Sequence, residues 1–360
     1  MKREHSGEKR KVDGGRDLDV RKEKILQVVT DDYIESAEPV GSRTIAKKYN
    51  LGISPATIRN EMSDLEESGY LRQPHTSAGR IPSHQGYRYY VDALMQERPL
   101  SQSELEAIRN EFEARTKRID SLLQQTIKVL SQLTKFPSLI LAPKLHAAVF
   151  KYIQLVPINE YNILVLVVTD SGFIENKLIE TPFPIHEDEL QRISGMLNKK
   201  LQGVSLRNLG ATLMREIKEE MLAHDRFFHE TMQLLVKTLE TKEKERVYLE
   251  GAVNILEQPE FKEVEKLKPI MMMLETEDKL YNILADSAFT HGIKITIGEE
   301  NPEEEAHECS IVTATYEVGG RTLGAIGVLG PTRMDYARVV SVVDFVANYL
   351  SDLLTDLSKK

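Results

Sequence analysis

The sequence predicts an α+β protein of several domains that opens with three helices and a short hairpin. Three observations carry that reading. Its 360 residues exceed what one ordinary domain holds. Residues 20–98 alternate helix-type apolar spacing with cap and turn residues. Strand-like segments appear in two separate blocks, 148–180 and 292–329, with about 110 mostly helical residues between them.

Residues 1–19 mix Lys, Arg, Asp, Glu and Gly without apolar periodicity, and read as a disordered charged tail. From Val20, the spacing of Ile25, Leu26, Val29, Tyr33 and Ile34 predicts an amphipathic helix that Pro39 and Gly41 stop. Ser42 then caps a short helix with Ile45, Ala46 and Tyr49 on its inner face. Ser54 is a good N-cap for a third helix, with Pro55 at its first position, where the missing N–H costs nothing. Ile53 and Ile58 flank that cap at staple spacing, Ile58, Met62 and Leu65 make the buried stripe, and Gly69 ends the helix. Tyr70–Gln73 and Ile81–Pro82 read as two strands around the loop Pro74–Arg80, and Ser83 caps a helix with Tyr87, Tyr90 or Val91, and Leu94 inward. Three helices followed by a hairpin is the winged form of the helix-turn-helix.

Beyond Pro99, a single amphipathic helix is expected over 101–135, broken by Pro137 and Pro143. Strands follow at 148–157, 161–169 and 173–180, the last two joined by a turn at Asp170-Ser171-Gly172. Residues 186–245 return to helical spacing (Leu213, Ile217 and Met221), and another helix runs from beyond Pro269 to Ala288. Strands resume at 292–298, 309–317 and 321–329, with Gly319-Gly320 as a hairpin turn, and a helix closes the chain over 335–356. This order suggests one sheet interrupted by an insertion.

Charge narrows the function. The net charge of −9 divides into +1 for residues 1–98 and −10 for the rest. Residues 39–90 hold seven basic and four acidic residues, and Leu71–Val91 holds no acidic residue. A polyanion within a Debye length senses that local sign rather than the total. On the third helix, the face opposite the buried stripe shows Ala56, Thr57, Arg59 and Asn60 near the N-terminus, the end that enters a major groove. Ser54 and the first-turn N–H groups could hold a phosphate, and Arg80 could reach a phosphate or the minor groove. The plain alternatives are a solvated helix face and a solvated loop.

Other chemistry is missing from the pattern. No apolar run reaches the ~18 residues of a membrane helix, and the N-terminus lacks the apolar core of a signal peptide. The lone Cys309 excludes an intramolecular disulfide or a multi-cysteine zinc site, so the chain reads as cytoplasmic and without a cofactor. His75 and His84 lack a third ligand nearby, and His224 and His229 are not spaced as a metal pair. Met271–Met273 reads as packing, and GAIGVLG (324–330) is not a dinucleotide fingerprint. No nucleophile, base and oxyanion donor assemble, which points away from an enzyme.

The segment ISPATIRNEMSDLEESGYLRQPHTSAGRIPSHQGYRYYVD (53–92) resembles the HrcA family of heat-inducible transcription repressors. EPVGSRTIA (38–46), GAVNILEQPEF (251–261) and GAIGVLGPTRMDYARVVSVVDFV (324–346) reinforce it, and the likeness runs from about Val20 to the C-terminus. The tail at 1–19 is longer and more charged than is usual in that family. The resemblance implies a winged helix over 20–98, a GAF-like α/β domain over 99–204 and 266–360, and a mostly helical dimerisation domain inserted at 205–265. It implies a homodimer on double-stranded DNA, at the inverted-repeat operator called CIRCE upstream of the GroEL–GroES and DnaK–GrpE–DnaJ operons. It also implies the chaperonin GroEL as the partner that keeps the repressor active, with heat relieving repression when unfolded protein occupies GroEL. Ser54, Thr57, Arg59, Asn60 and Arg80 are the DNA-binding residues carried over. Two other readings stand beside it: a winged-helix regulator whose GAF-like domain senses a small ligand, and an enzyme or chaperone adaptor with an incidental winged helix.

Overall fold

In the computed structural model, residues 18–96, 98–112, 119–143, 149–169, 174–182, 184, 186–204, 246–288 and 292–358 are described. The tail up to residue 17, the turn at Asp170-Ser171-Gly172, and the expected helical residues Leu213, Ile217 and Met221 with His224 and His229 lie outside them.

The first helix begins at Val20, where the helical spacing starts in the sequence. The Asp19 carboxylate accepts from the backbone N–H of Arg21 and Lys22, both at 2.9 Å, and caps α1 (Val20–Ser36). Helix α2 (Ser42–Lys48) is entered from Gly41, which makes no side-chain cap, so Ser42 is its first residue rather than its cap. Helix α3 (Pro55–Glu67) starts as expected, with Ser54 Oγ accepting from Thr57 N at 3.1 Å. Ile58, Met62 and Leu65 pack with Ile25, Leu26, Val29 and Ile45 in one core. Strands β1 (Leu71–Arg72) and β2 (Ile81–Pro82) pair antiparallel, and Val40 extends the hairpin by exchanging both backbone bonds with Arg80 at 2.9 Å.

Helix α4 (His84–Tyr89), capped by Ser83 Oγ on Gly86 N at 3.0 Å, runs into a π-turn at Tyr90–Leu94. Its tyrosines divide. Tyr89 lies in the N-terminal core, whereas Tyr87 lies in the core of the C-terminal part against Tyr336, with ring centroids 6.0 Å apart.

The single helix expected over 101–135 is two helices, α5 (Gln102–Phe112) and α6 (Ile119–Thr134). Gln125 Nε2 donates to the Glu111 carbonyl. On a continuous helix those residues would be about 21 Å apart, so the chain folds back between them. A five-stranded antiparallel sheet follows in the order β7-β3-β10-β9-β8: Val247–Glu250, Ser138–Leu141, Arg321–Pro331, Cys309–Val318 and Ile293–Ile297. Gly319 and Gly320 turn the β9–β10 hairpin with φ of 58° and 80°, the left-handed values that such a two-residue turn needs. Helices α6 and α10 (Tyr336–Ser358) cover one face, and α8 (Val264–Leu274) and α9 (Glu277–Ala288) the other. Pro269 sits within α8 instead of preceding a helix, and the break falls at Glu275–Thr276.

The expectation of one interrupted sheet is also corrected. Strands β4 (Phe150–Asn159), β5 (Asn162–Thr169) and β6 (Ile174–Glu180) form a separate antiparallel sheet. Helix α7 (Glu187–Leu201) covers one of its faces through Leu190, Ile193, Leu197 and Leu201. Asn198 both accepts from Ile153 N at 2.7 Å and donates to Ile153 O at 2.9 Å, which blunts the β4 edge. The main sheet is completed instead by β3 and β7, two four-residue strands too short to show alternation in sequence.

Two glycines test this packing in opposite directions. A Cβ at Gly86 would collide with the Tyr70 carbonyl oxygen, whereas one at Gly195, in the middle of α7, meets nothing within 4 Å. Gly86→Ala should cost about 1–3 kcal/mol of stability in urea unfolding. Gly195→Ala should add about 0.5–1 kcal/mol, by helix propensity alone.

Candidate nucleic-acid interface

The turn from α2 to α3 spans Tyr49–Ser54, with Gly52 at a φ of 68°. It presents the start of α3 at the surface. Ser54, Ala56, Arg59 and Asn60 are exposed and Thr57 is half-buried. Ser54 is committed to its cap, and its Oγ lies 3.0 Å from Thr57 Oγ1. Pro55 has no N–H and Thr57 N is capped, so the first turn offers the Ala56 N–H rather than a cluster of donors. Neither Arg59 nor Asn60 has a side-chain partner among the described residues.

Several neighbouring cations are already paired. Lys22 sits 3.0 Å from Glu61 and 3.2 Å from Asp64, and hydrogen bonds to these two carboxylates push its pKa up. Arg21 lies 3.4 Å from Glu61. Lys48 is 2.7 Å from Asp32 and 2.6 Å from Glu35, which likewise raises its pKa. By contrast Arg43 and Lys47, exposed and four residues apart on α2, have no carboxylate partner among the described residues. Sequence reasoning passed over this pair. The available signal was the absence of any acidic residue from Pro39 to Asn60.

Arg80 is placed differently from the expectation of a free charge. Its Nε donates to Glu66 Oε2 at 2.7 Å, Nη2 lies at the same distance from that oxygen, and the side chain is 20% exposed. Leu71–Val91 lacks acids along the chain, but Glu66 in the last turn of α3 supplies one in space. Arg80 therefore ties the hairpin to α3 at its base. Beside it, a Cβ on Gly79 would collide with the Val40 carbonyl, so this position requires close backbone approach. The loop tip holds His75, exposed, and Gln73 Nε2 donates to the carbonyls of Thr76 (3.0 Å) and Ala78 (2.9 Å).

Elsewhere, no group of three metal-ligating side chains occurs among the described residues. Cys309 is fully buried, which pushes its thiol pKa up and away from reactivity. An open groove of about 540 Å³ beside the β9–β10 turn is lined by Glu317, Asp344 and Asp352, with no aromatic or basic side chain. No helix among the described residues is long and apolar enough to cross a membrane.

The family described as HrcA protein C terminal domain matches residues 120–340. The heat-inducible transcription repressor HrcA of Pelotomaculum thermopropionicum is 49% identical over 94% of this chain and 97% of its own length. That of Symbiobacterium thermophilum is 45% identical over 93% of this chain and 98% of its own.

The chain belongs to the HrcA family.

A crystal structure of a hypothetical protein shares the fold, with a TM-score of 0.63 and 24% identity over 95% of this chain and all of that one. Among HrcA relatives the function is heat-inducible repression of transcription, and this chain is a repressor of that kind.

Binding assays with purified protein separate the two kinds of arginine. Arg59→Ala should weaken operator binding by about 1–3 kcal/mol for each base or phosphate interaction removed, and leave the melting temperature unchanged. Arg80→Ala should reduce folding stability by up to about 1 kcal/mol, because Glu66 loses its partner. An Arg80→Ala protein that melts like the parent would return that residue to the role of a free charge.

Proposed function

We propose that this HrcA family member represses the GroEL–GroES and DnaK–GrpE–DnaJ operons by binding the CIRCE inverted repeat as a homodimer. The observation carrying this reading is the contrast among the cations of the N-terminal unit. Arg43, Lys47 and Arg59, and with them Lys24 and Arg72, stand exposed without a carboxylate among the described residues, whereas Arg21, Lys22, Lys48 and Arg80 are ion-paired. Unpaired cations are the ones whose binding to phosphates releases counterions without first breaking a bridge.

In this reading residues 20–98 are a winged helix-turn-helix. Helix α3 enters the major groove, with Thr57, Arg59 and Asn60 toward base edges. Ser54 fixes the N-terminus of α3 and leaves the Ala56 N–H for a phosphate, Arg43 and Lys47 hold the backbone, and Arg80 supports the wing. The five-stranded sheet with its helices is the GAF-like domain. The acidic groove beside it has no side chain suited to an anionic or aromatic ligand, so a ligand-sensing role draws little support. GroEL, implied by family membership, completes the regulatory circuit.

In this reading the inserted dimerisation unit runs over 143–246 rather than 205–265; the departure of the chain from the main sheet after β3 and its return at β7 support those wider bounds. Its three-stranded sheet supplies a reason for dimerisation. Tyr152, Val156, Leu164, Leu166, Val168 and Leu178 line the face opposite α7, and Leu178 is 63% exposed. An apolar sheet face that stays partly exposed among the described residues is the kind of surface that a second copy covers.

A mobility shift with a CIRCE duplex tests the function, and no shift would overturn it. Leu178→Asp should convert the dimer to monomer in sedimentation at micromolar concentration. It should also weaken inverted-repeat binding by about a hundredfold, as the linked second half-site is lost. A dimeric Leu178→Asp protein would move the interface elsewhere.

A further inference from the structure

The N-terminal unit does not hang from a free linker. Tyr87 inserts its ring into the C-terminal core, and Arg88 and Arg333 cross the seam in opposite directions, beside the more exposed pair Arg98–Asp335 at 3.6 Å. Arg88 on α4 forms a fork with Glu300, Nε to Oε1 at 2.8 Å and Nη2 to Oε2 at 2.7 Å. Its Nη2 also donates to the Ile295 carbonyl of β8 at 2.7 Å, and Nη1 to Asp92 at 3.0 Å. Glu300 is itself held by Ile297 N, at 2.8 Å. From the other side, Arg333 at the end of β10 pairs with Glu260 and donates to the Ile34 carbonyl in the last turn of α1 at 3.2 Å.

These two kinds of interaction constrain different things. Burial of Tyr87 against Tyr336 holds the units together but is non-directional. A bidentate fork onto an anchored carboxylate fixes an angle. That angle reaches α3 through a stiff path. Ser83 N donates to Tyr70 O at 3.0 Å, Gly86 packs directly on the same carbonyl, and Tyr89 and Tyr90 donate to Glu23 (2.7 Å) and Asp31 (2.6 Å) of α1. Helix α1 and the hairpin both pack on α3.

We infer that Arg88 and Glu300 are positioning residues for operator binding: their fork sets the angle at which each α3 is presented, and so the half-site spacing that the dimer accepts. The inference rests on the dimeric, inverted-repeat reading above. Adding one base pair between half-sites turns the second by about 35° and moves it ~3.4 Å. A unit held by a fork on a sheet cannot follow that change without distorting itself or the DNA. A unit that has lost the fork, and keeps the Tyr87 packing with the single-point contacts of Arg333 and Arg98, can follow it more readily.

The test uses the full chain and four duplexes: a single CIRCE half-site, and the inverted repeat with its natural spacer, one base pair shorter and one longer. The unsubstituted protein should bind about tenfold or more weakly when the spacer changes by one base pair. Glu300→Ala and Arg88→Ala should lower that penalty to within about threefold while half-site affinity stays within about twofold, which a merely structural role would not produce. Arg88→Lys, which keeps the charge and removes the fork, should behave like Arg88→Ala. Unchanged spacer discrimination in Glu300→Ala would overturn the inference, as would equal weakening on the half-site and the full repeat. If the unsubstituted protein binds the inverted repeat no better than the half-site, the dimeric reading itself fails, and the inference with it.

Discussion

Helix α4 is shared by two hydrophobic cores, and the arrangement of the whole chain depends on that sharing. Residues two apart on a helix point about 200° away from each other. Tyr87 and Tyr89 use that geometry: one is buried beside Tyr336, the other beside Tyr70 with ring centroids 5.5 Å apart. A helix of six residues can serve both cores only if its ends are fixed. Ser83 fixes the start through its cap, and the π-turn at Tyr90–Leu94 fixes the finish, with Met95 N donating to Tyr90 O at 2.7 Å. Tyr90, the first residue of that turn, donates to Asp31, whose carboxyl pKa burial pushes up while the tyrosine hydroxyl opposes the shift.

Charge in the N-terminal unit is arranged by pairing rather than by number. Residues 1–98 carry a net charge of only +1, a weak attraction for a polyanion. The acids of α1 and α3 neutralise particular cations, Glu61 and Asp64 taking Lys22 and Glu66 taking Arg80. Arg43, Lys47 and Arg59 are left without a carboxylate partner among the described residues where α2 and the start of α3 meet. A near-neutral domain can then present a locally basic face.

The elements legible in the sequence are those specified within a few residues. Ser54 with Pro55, Ser83 with Gly86, and Gly319 with Gly320 each contain their own cap or turn geometry, so the helices and hairpins that they bound fell where expected. The Ile58–Met62–Leu65 stripe correctly exposed Arg59 and Asn60. What escaped was specified at long range. Strands β3 and β7 are four residues each, flanked by proline or glycine, and become strands only through each other and β10. The reversal between α5 and α6 leaves no mark on the apolar periodicity, because both helices face the same core. Arg80 looked unopposed because its carboxylate lies 14 residues away in sequence.

Among the described residues, the sheet order sets a packed body between the chain's departure after β3 and the contacts that the N-terminal unit makes at β8. The insertion departs from and returns to adjacent strands at one edge, β3 and β7, where Ala142 N donates to Arg246 O at 2.9 Å. The N-terminal unit docks at the opposite edge, on Ile295 of β8 and Glu300 just beyond it. Four strand spacings, about 19 Å, separate the two edges. The intervening strands β10 and β9 pair from Arg321↔Val318 to Pro331↔Cys309, with one register shift between Thr322 and Gly324 and helices packed on both faces. A dimer formed through the inserted sheet would hold its two recognition helices through two copies of this sheet in series. Flexibility between half-sites would then reside at the seams rather than in the sheet. A seam fixed by a bidentate fork is the geometry that keeps such an assembly selective for one spacing.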